Sequence, residues 1–171
     1  LIPSLDEIGK KYDSGEIFLP QLIQCAETVK ASLNVIKENL LQGNINVISK
    51  GKIIVATVQG DIHDIGKNIV KIMLENYGYE VIDLGKDVPI DKVVQKSKEL
   101  DIKLVGLSAL MTTTVKSMED TIKALRENNI DAKVFVGGAV LTEEYARNIG
   151  ADYYSKDAKS AIEIAQMSFQ I

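Results

Sequence analysis

The chain contains a single histidine, and the residues around it are suited to metal chemistry. His63 lies in the stretch Gln59-Gly60-Asp61-Ile62-His63-Asp64-Ile65-Gly66-Lys67-Asn68, with a carboxylate two positions before it and another directly after. An imidazole donates to a metal through one ring nitrogen while the other gives its proton to an acceptor, which fixes the tautomer. Asp61 is close enough along the chain to accept from Nδ1 and leave Nε2 as the donor. Gly66 follows where a helix is expected to open, and its missing side chain lets a bulky ligand approach the backbone. An isolated histidine is more often structural, but a ligand-bearing loop is a poor place for a filler residue.

Other chemistries fit this stretch less well. A phosphate-binding P-loop has four residues between its glycines and ends Gly-Lys-Ser/Thr. Here Gly60 and Gly66 are separated by five, Asn68 replaces the hydroxyl residue, and the loop is acidic. One Cys and one His are too few for a structural zinc site, which needs about four protein ligands. A second polar cluster, Ser108-Ala109-Leu110-Met111-Thr112-Thr113-Thr114, carries four hydroxyls in seven residues. Thr114 precedes a helix and is placed to cap it; Ser108 and Thr112 are placed to bond a ligand. Neither has a histidine of its own, so a serine nucleophile has little support. Gly137-Gly138 reads as a turn or as a slot floor where backbone touches a flat ligand. Ser155-Lys156-Asp157-Ala158 would close the pocket edge.

These clusters need a scaffold that brings them to one edge. From Lys52 onward, β-branched runs (residues 53–58, 80–84, 104–108, 134–136 and 152–154) alternate with helical segments of roughly 10 to 14 residues. Apolar runs without alternation suit strands covered on both faces. Five strand–helix units predict an α/β, flavodoxin-like (Rossmann-type) parallel sheet with helices on both faces, in the order 2-1-3-4-5. Ligands of such sheets sit beyond the carboxyl ends of the strands where the order reverses, here after the first and third strands. A phospho-signalling receiver domain shares the order and has a lysine like Lys156, but it needs an Asp where Ser108 stands. A flavodoxin needs a hydroxyl-rich first loop.

Residues 1–45 differ from this pattern and read as helix, break, helix, with the break at Asp13-Ser14-Gly15 and Pro20 in the next first turn. Leu22, Ala26, Val29, Leu33, Ile36 and Leu40 form the apolar face of the second helix. Residues 42–50 read as a linker to a second unit, 46–171. The chain has 171 residues, 46% hydrophobic and 26% charged, with a net charge of −4. It shows no basic cluster for nucleic acid and no apolar run of the roughly 18 residues a membrane span needs. The single cysteine excludes an internal disulfide framework and favours the cytoplasm. The start lacks an initiator Met and enters a helix at once, which reads as a fragment or a trimmed chain.

Taken in order, Asp61-x-His63-x-x-Gly66, Ser108-x-Leu110 and Gly137-Gly138 resemble the signature of cobalamin-binding domains that hold the cofactor base-off with His on. Gly-Asp-Ile-His-Asp-Ile-Gly-Lys-Asn-Ile-Val and Leu-Ser-Ala-Leu-Met-Thr-Thr-Thr are similar to the methyl-transfer branch, which includes methionine synthase and the corrinoid proteins of methanol and methylamine systems. The resemblance covers nearly the whole chain. It implies a cobalamin or related corrinoid, used as methylcobalamin and cob(I)alamin, with His63 as the lower axial cobalt ligand. It implies that Asp61 bonds the His63 ring and Thr114 continues a proton relay, so that Asp61, His63 and Thr114 form the catalytic set. Gly60, Ile62, Asp64, Gly66 and Leu110 are implied around the cofactor, with Ser108 and Thr112 on the displaced tail and corrin edge. Gly137, Gly138 and Ala158 are implied in the tail slot. Residues 12–21 resemble a helical cap over the methyl-bearing face, with Tyr12 and Leu19 above the cobalt. About half of the family's four-helix cap is expected here. The function implied is a methyl carrier, incomplete as an enzyme alone, serving methyl-donor and methyl-acceptor methyltransferase domains or subunits and a reductive activase. A methionine synthase fragment and a stand-alone corrinoid protein both fit. An adenosylcobalamin isomerase domain or a cobalamin sensor shares the core motif, but the isomerase branch normally lacks the cap.

Overall fold

The computed structural model of the protein describes residues 7–8, 11–12, 14–18, 20–25, 27–28, 31–32 and 49–170. The elements from residue 52 onward are β1 (Lys52–Thr57), α1 (Ile65–Asn76), β2 (Glu80–Asp83), α2 (Ile90–Glu99), β3 (Leu104–Ser108), a 3-10 turn (Thr112–Thr114), α3 (Val115–Glu127), β4 (Lys133–Gly137), α4 (Glu143–Asn148), β5 (Tyr153–Tyr154) and α5 (Ala158–Ser168). The strands form one parallel sheet in the order β2-β1-β3-β4-β5, the arrangement expected from the sequence pattern.

Alternation along the central strands builds two cores. Ile54, Ala56 and Val58 point into one, with Val93 of α2, Met118, Ile122 and Leu125 of α3, and Ala146 of α4. Ile53 and Val55 point into the other, with Leu74 of α1 and Ala161, Ile162 and Ala165 of α5. Full burial of each Val, Leu, Ile or Met among these contributes about 1.5–3 kcal/mol. Because helices cover both faces, β1 is buried from Ile53 onward. The register sets Thr57 beside Ser108 and Ser108 beside Gly137. The carboxyl ends of β1, β3 and β4 therefore share one edge. From β1 the chain moves outward to β2 and then returns to β3 on the opposite side, which opens a crevice there.

One local feature differs from expectation. The fourth helix, α4, has only six residues rather than 10 to 14. The segment after β4 turns first, with Leu141 N–H donating to Gly138 O at 3.1 Å, and the Thr142 hydroxyl then caps the late-starting helix. Gly150, at φ +83°, ends it. At the amino end, helical backbone occurs at 7–8, 11–12, 20–25, 27–28 and 31–32, with a turn at 14–15. Gly15 supplies the positive φ of that turn and donates to Tyr12 O at 3.1 Å. Leu22 is buried as expected; Ala26, Val29, Leu33, Ile36 and Leu40 lie outside the described residues, as do 42–48 of the expected linker. Among the described residues no helix is long and apolar enough to cross a membrane.

A buried ion pair ties α1 to the sheet edge. Lys67, with its side chain almost fully buried, donates to Asp83 Oδ1 at the end of β2, and Lys71 donates to Oδ2 at 3.2 Å. Burial pushes the Asp83 carboxyl up, but Lys67, the Gly85 N–H and Lys71 outweigh it and hold the group below its ordinary value of 3.8. A carboxyl depressed in the folded state stabilises above its unfolded pKa, and that contribution is lost as pH falls through the folded value. Asp83→Asn is therefore expected to cost about 3 kcal/mol at neutral pH. The gap between wild type and variant should shrink steadily as pH falls below about 4, which urea melts across that range would measure.

Candidate functional site

The carboxylate of Asp61 joins the β1–α1 and β3–α3 segments at the carboxyl edge of the sheet. Its side chain is fully buried, and five donors converge on it. Oδ1 accepts the His63 backbone N–H at 3.0 Å and lies 2.8 Å from His63 Nδ1. Oδ2 accepts Leu110 N–H at 2.7 Å, Met111 N–H at 3.3 Å and the Thr114 hydroxyl at 2.8 Å. Burial alone would raise the Asp61 pKa. The backbone bonds from His63 and Leu110, then the Thr114 hydroxyl and the His63 ring, reverse that effect and hold the group well below the usual carboxylate range. An ionised carboxylate carries no proton, so Nδ1 must be the donor in this contact. The lone pair of a neutral His63 then lies on Nε2, on a side chain 45% exposed.

The loop that carries His63 is held at several points. Asp61 N–H donates to Val58 O at 3.0 Å, closing a turn whose third residue, Gly60, has φ +86°. A Cβ at Gly60 would meet only ordinary contact with Thr114, so φ rather than crowding selects glycine there. From the β2–α2 loop, Asp87 grips the next peptide: its carboxylate accepts Gly60 N–H at 2.7 Å and its own N–H donates to Asp61 O at 2.9 Å. Asp87 adopts φ +49° to do so, an uncommon conformation for a residue with a Cβ. Ile62 of the His63 loop, Ile65 at the start of α1 and Leu110 of the β3–α3 segment are 62%, 78% and 42% exposed, apolar surface on the two segments that Asp61 joins.

A cavity of about 790 Å³ opens in this crevice, between the sheet and the helices α1 and α5. Gly66, Ser108, Gly137, Gly138 and Ala158 contribute to its wall at the loop end, and Val55, Phe135 and Ile162 make much of it apolar. A Cβ at Gly66 would meet nothing within 4 Å, so its missing side chain leaves open space for an occupant. A Cβ at Gly138 would lie 1.8 Å from Ala109 O, and its φ is +148°; close backbone packing requires glycine there. Tyr12, Leu22 and Cys25 of the amino-terminal segment also face this cavity. Among the described residues no group of three or more His, Cys, Asp and Glu could enclose a metal ion. A metal bound by His63 must therefore bring most of its own ligands.

The expected site residues separate into groups. Gly60, Asp61, Ile62, His63, Asp64 and Gly66 share the β1–α1 segment, and Leu110 and Thr114 approach it from the β3–α3 segment. Ser108, Gly66, Gly137, Gly138, Ala158 and Tyr12 line the cavity. Thr112 is exposed and is not in the wall. Asp64 caps α1 through its backbone only. The Thr114 hydroxyl makes no cap bond to α3, contrary to the capping expectation, because it is turned toward Asp61 and Met111 O instead. Leu19 lies outside the described residues. Sequence reading missed Asp87, 27 positions from the glycine it holds, because no local pattern marks that contact. It also missed Ile65, which looks like an ordinary core residue of an amphipathic helix.

Comparison with known proteins adds an independent line. Models described as B12 binding domain match residues 51–163 and residues 1–37. A Methanosarcina mazei protein named dimethylamine corrinoid protein 3 is 40% identical over 95% of this chain and 98% of its own length. A solved cobalamin-binding protein from Desulfitobacterium hafniense is 38% identical with a TM-score of 0.80, over 96% of this chain and 77% of that one. The methanol:cobalamin methyltransferase complex MtaBC from Methanosarcina barkeri matches with 31% identity and a TM-score of 0.87, over 97% of this chain and 63% of that one.

Two outcomes test the geometry directly. Nitrogen NMR of the imidazole should show the Nδ1–H tautomer for the neutral ring. Asp61→Asn should relax that bias and cost about 2 kcal/mol, since an amide turns N–H groups toward some of the five donors. Gly138→Ala should destabilise by more than about 1 kcal/mol in thermal melts, through its positive φ and its clash with Ala109 O.

Proposed function

This chain belongs to the B12-binding domain family, and from that premise we propose that it is the methyl-carrying corrinoid subunit of a methylamine-type methyltransferase system, with its cofactor held through His63. Its cofactor class is a cobalamin or related corrinoid. The observation that carries the finer reading is the contact of His63 Nδ1 with the buried Asp61 carboxylate, which leaves Nε2 free on the segment whose Gly66 lines the cavity.

The residues present fit such a group. A corrin brings its own ring of nitrogen donors and needs at most one protein donor beneath it, which matches one imidazole and no enclosing ligand cluster among the described residues. The apolar surface of Ile62, Ile65 and Leu110 suits the underside of a flat macrocycle. The cavity between the sheet, α1 and α5 suits a displaced nucleotide tail, with Gly66, Ser108, Gly137, Gly138 and Ala158 along it. When bound, a corrinoid supplies a cobalt centre that accepts and gives up a methyl group.

The protein's part is to position and to manage a proton. Asp61 holds the ring in the Nδ1–H tautomer and makes Nε2 a better donor. The N–H groups of Leu110 and Met111 and the hydroxyl of Thr114 keep Asp61 ionised. His63 would hold the cofactor through Nε2, and Asp61, with the Thr114 hydroxyl behind it, would link that contact to proton transfer. In this reading, residues 1–45 are the cap segment and residues 46–171 the cofactor-binding unit, and Tyr12 of the cap segment faces the cavity that would hold the cofactor. The cap would exclude water and then move aside for visits to methyl-donor and methyl-acceptor subunits. Relatives named for dimethylamine and a complex named for methanol support a stand-alone corrinoid protein. A reductive activase would recover the carrier after adventitious oxidation.

The test is to load the protein with cobalamin and record EPR of its cobalt(II) form. Splitting by a protein imidazole nitrogen is expected, and His63→Ala should abolish it. Asp61→Asn should weaken ligation while circular dichroism stays native. Splitting that survives in His63→Ala would overturn the ligand assignment.

A further inference from the structure

Asn76 is the last residue of α1 and contributes to the wall of the cavity. It is only 6% exposed, and neither its Nδ2 nor its Oδ1 has a hydrogen-bond partner. Buried amides left in this state are rare and call for an explanation. The other unpartnered buried side-chain atoms among the described residues, Tyr79 Oη and Ser97 Oγ, are not in the cavity wall. At 1.5 Å per residue, Asn76 lies about 15 Å along α1 from Gly66. It therefore marks the part of the cavity farthest along this helix from His63. The wall residues Val55, Ile69, Val70, Met73, Phe135 and Ile162 are apolar, so the Asn76 amide, whose nitrogen and oxygen are both shielded from solvent, belongs to a wall with a large apolar share.

We propose that Asn76 is a specificity residue for the corrinoid's lower base, selecting a purine-type base, such as adenine, over dimethylbenzimidazole. This rests on the corrinoid-carrier reading above, in which the slot receives the displaced tail. An asparagine amide presents a donor and an acceptor side by side. Adenine offers the complementary pair, an amino group next to a ring nitrogen, and takes an asparagine in bidentate fashion. The outer edge of dimethylbenzimidazole carries two methyl groups and leaves both amide atoms unbonded. A site built to bond a polar group discriminates strongly against an analogue lacking it, because its own polar atoms stay unpaired. The terminal torsion of Asn is broad, so the amide turns into the slot without backbone movement.

The full chain without cofactor would be titrated with cobalamin and with its adenine-base counterpart, following binding by absorbance and fluorescence quenching. Wild type is expected to prefer the adenine form by roughly tenfold. Asn76→Leu, branched at the same carbon and free of the unpaired amide, should bring the two affinities within about twofold while raising the melting temperature of the cofactor-free protein. Asn76→Ala provides the same comparison with a smaller side chain. Equal affinities in wild type, or a preference that survives both substitutions, would overturn the assignment of Asn76 while leaving the carrier reading intact. Failure of both corrinoids to bind wild type would overturn both.

Discussion

A carboxylate taken out of water is tolerable only if its charge is matched, and the active edge of this protein is organised around that requirement. Asp61 sits on the loop after β1, yet three of the groups that satisfy it come from the segment after β3. The bonds therefore do more than stabilise one residue. They fasten the two loops across the point where the strand order reverses, the place where an open α/β sheet exposes a crevice. The His63 ring is anchored to the same carboxylate. Its orientation depends on a charge that cannot move without unsatisfying several donors at once.

Steric economy shapes the rest of the site. The Gly60 turn and the left-handed Asp87 allow the His63 loop to double back on itself, and Asp87 bridges the two peptides at its tip. On the other side, Gly138 lets the β4 end press against the backbone at Ala109. Gly66, by contrast, touches nothing with its missing side chain. One glycine thus permits close packing and the other leaves a void. Together with Ser108, Gly137 and Ala158 they border a cavity whose interior is mainly apolar. In the proposed function these two requirements meet: a rigid polar anchor for a single metal donor, and an adjoining slot for the organic group that brings the remaining ligands.

The parallel sheet and its order were legible in the chain because burial on both faces leaves near-continuous β-branched runs, such as Ile53 to Val58, between helical segments. His63, Asp61 and the hydroxyl cluster were legible because unusual residue types sit where such a sheet carries ligands. The length of α4 was not. A turn at Gly138–Leu141 and a late cap at Thr142 shorten it, and capping competes with propensity at every helix start. Thr114 stood out in the hydroxyl cluster, but local reasoning offered its hydroxyl a helix cap, and a distant carboxylate took it instead.

What the sequence determined by itself was the set of elements, their order and the loops that hold the candidate site residues. These follow from hydrophobic period and local turn chemistry, which act over a few neighbouring residues. Only the tertiary structure decided that Leu110 and Met111 N–H converge on Asp61, that Asp87 clamps the loop 27 positions away, and that the amide of Asn76 is left unbonded in a cavity wall. Hydrogen bonds between segments far apart in the chain depend on strand register and helix packing, and no local pattern of residues encodes those distances.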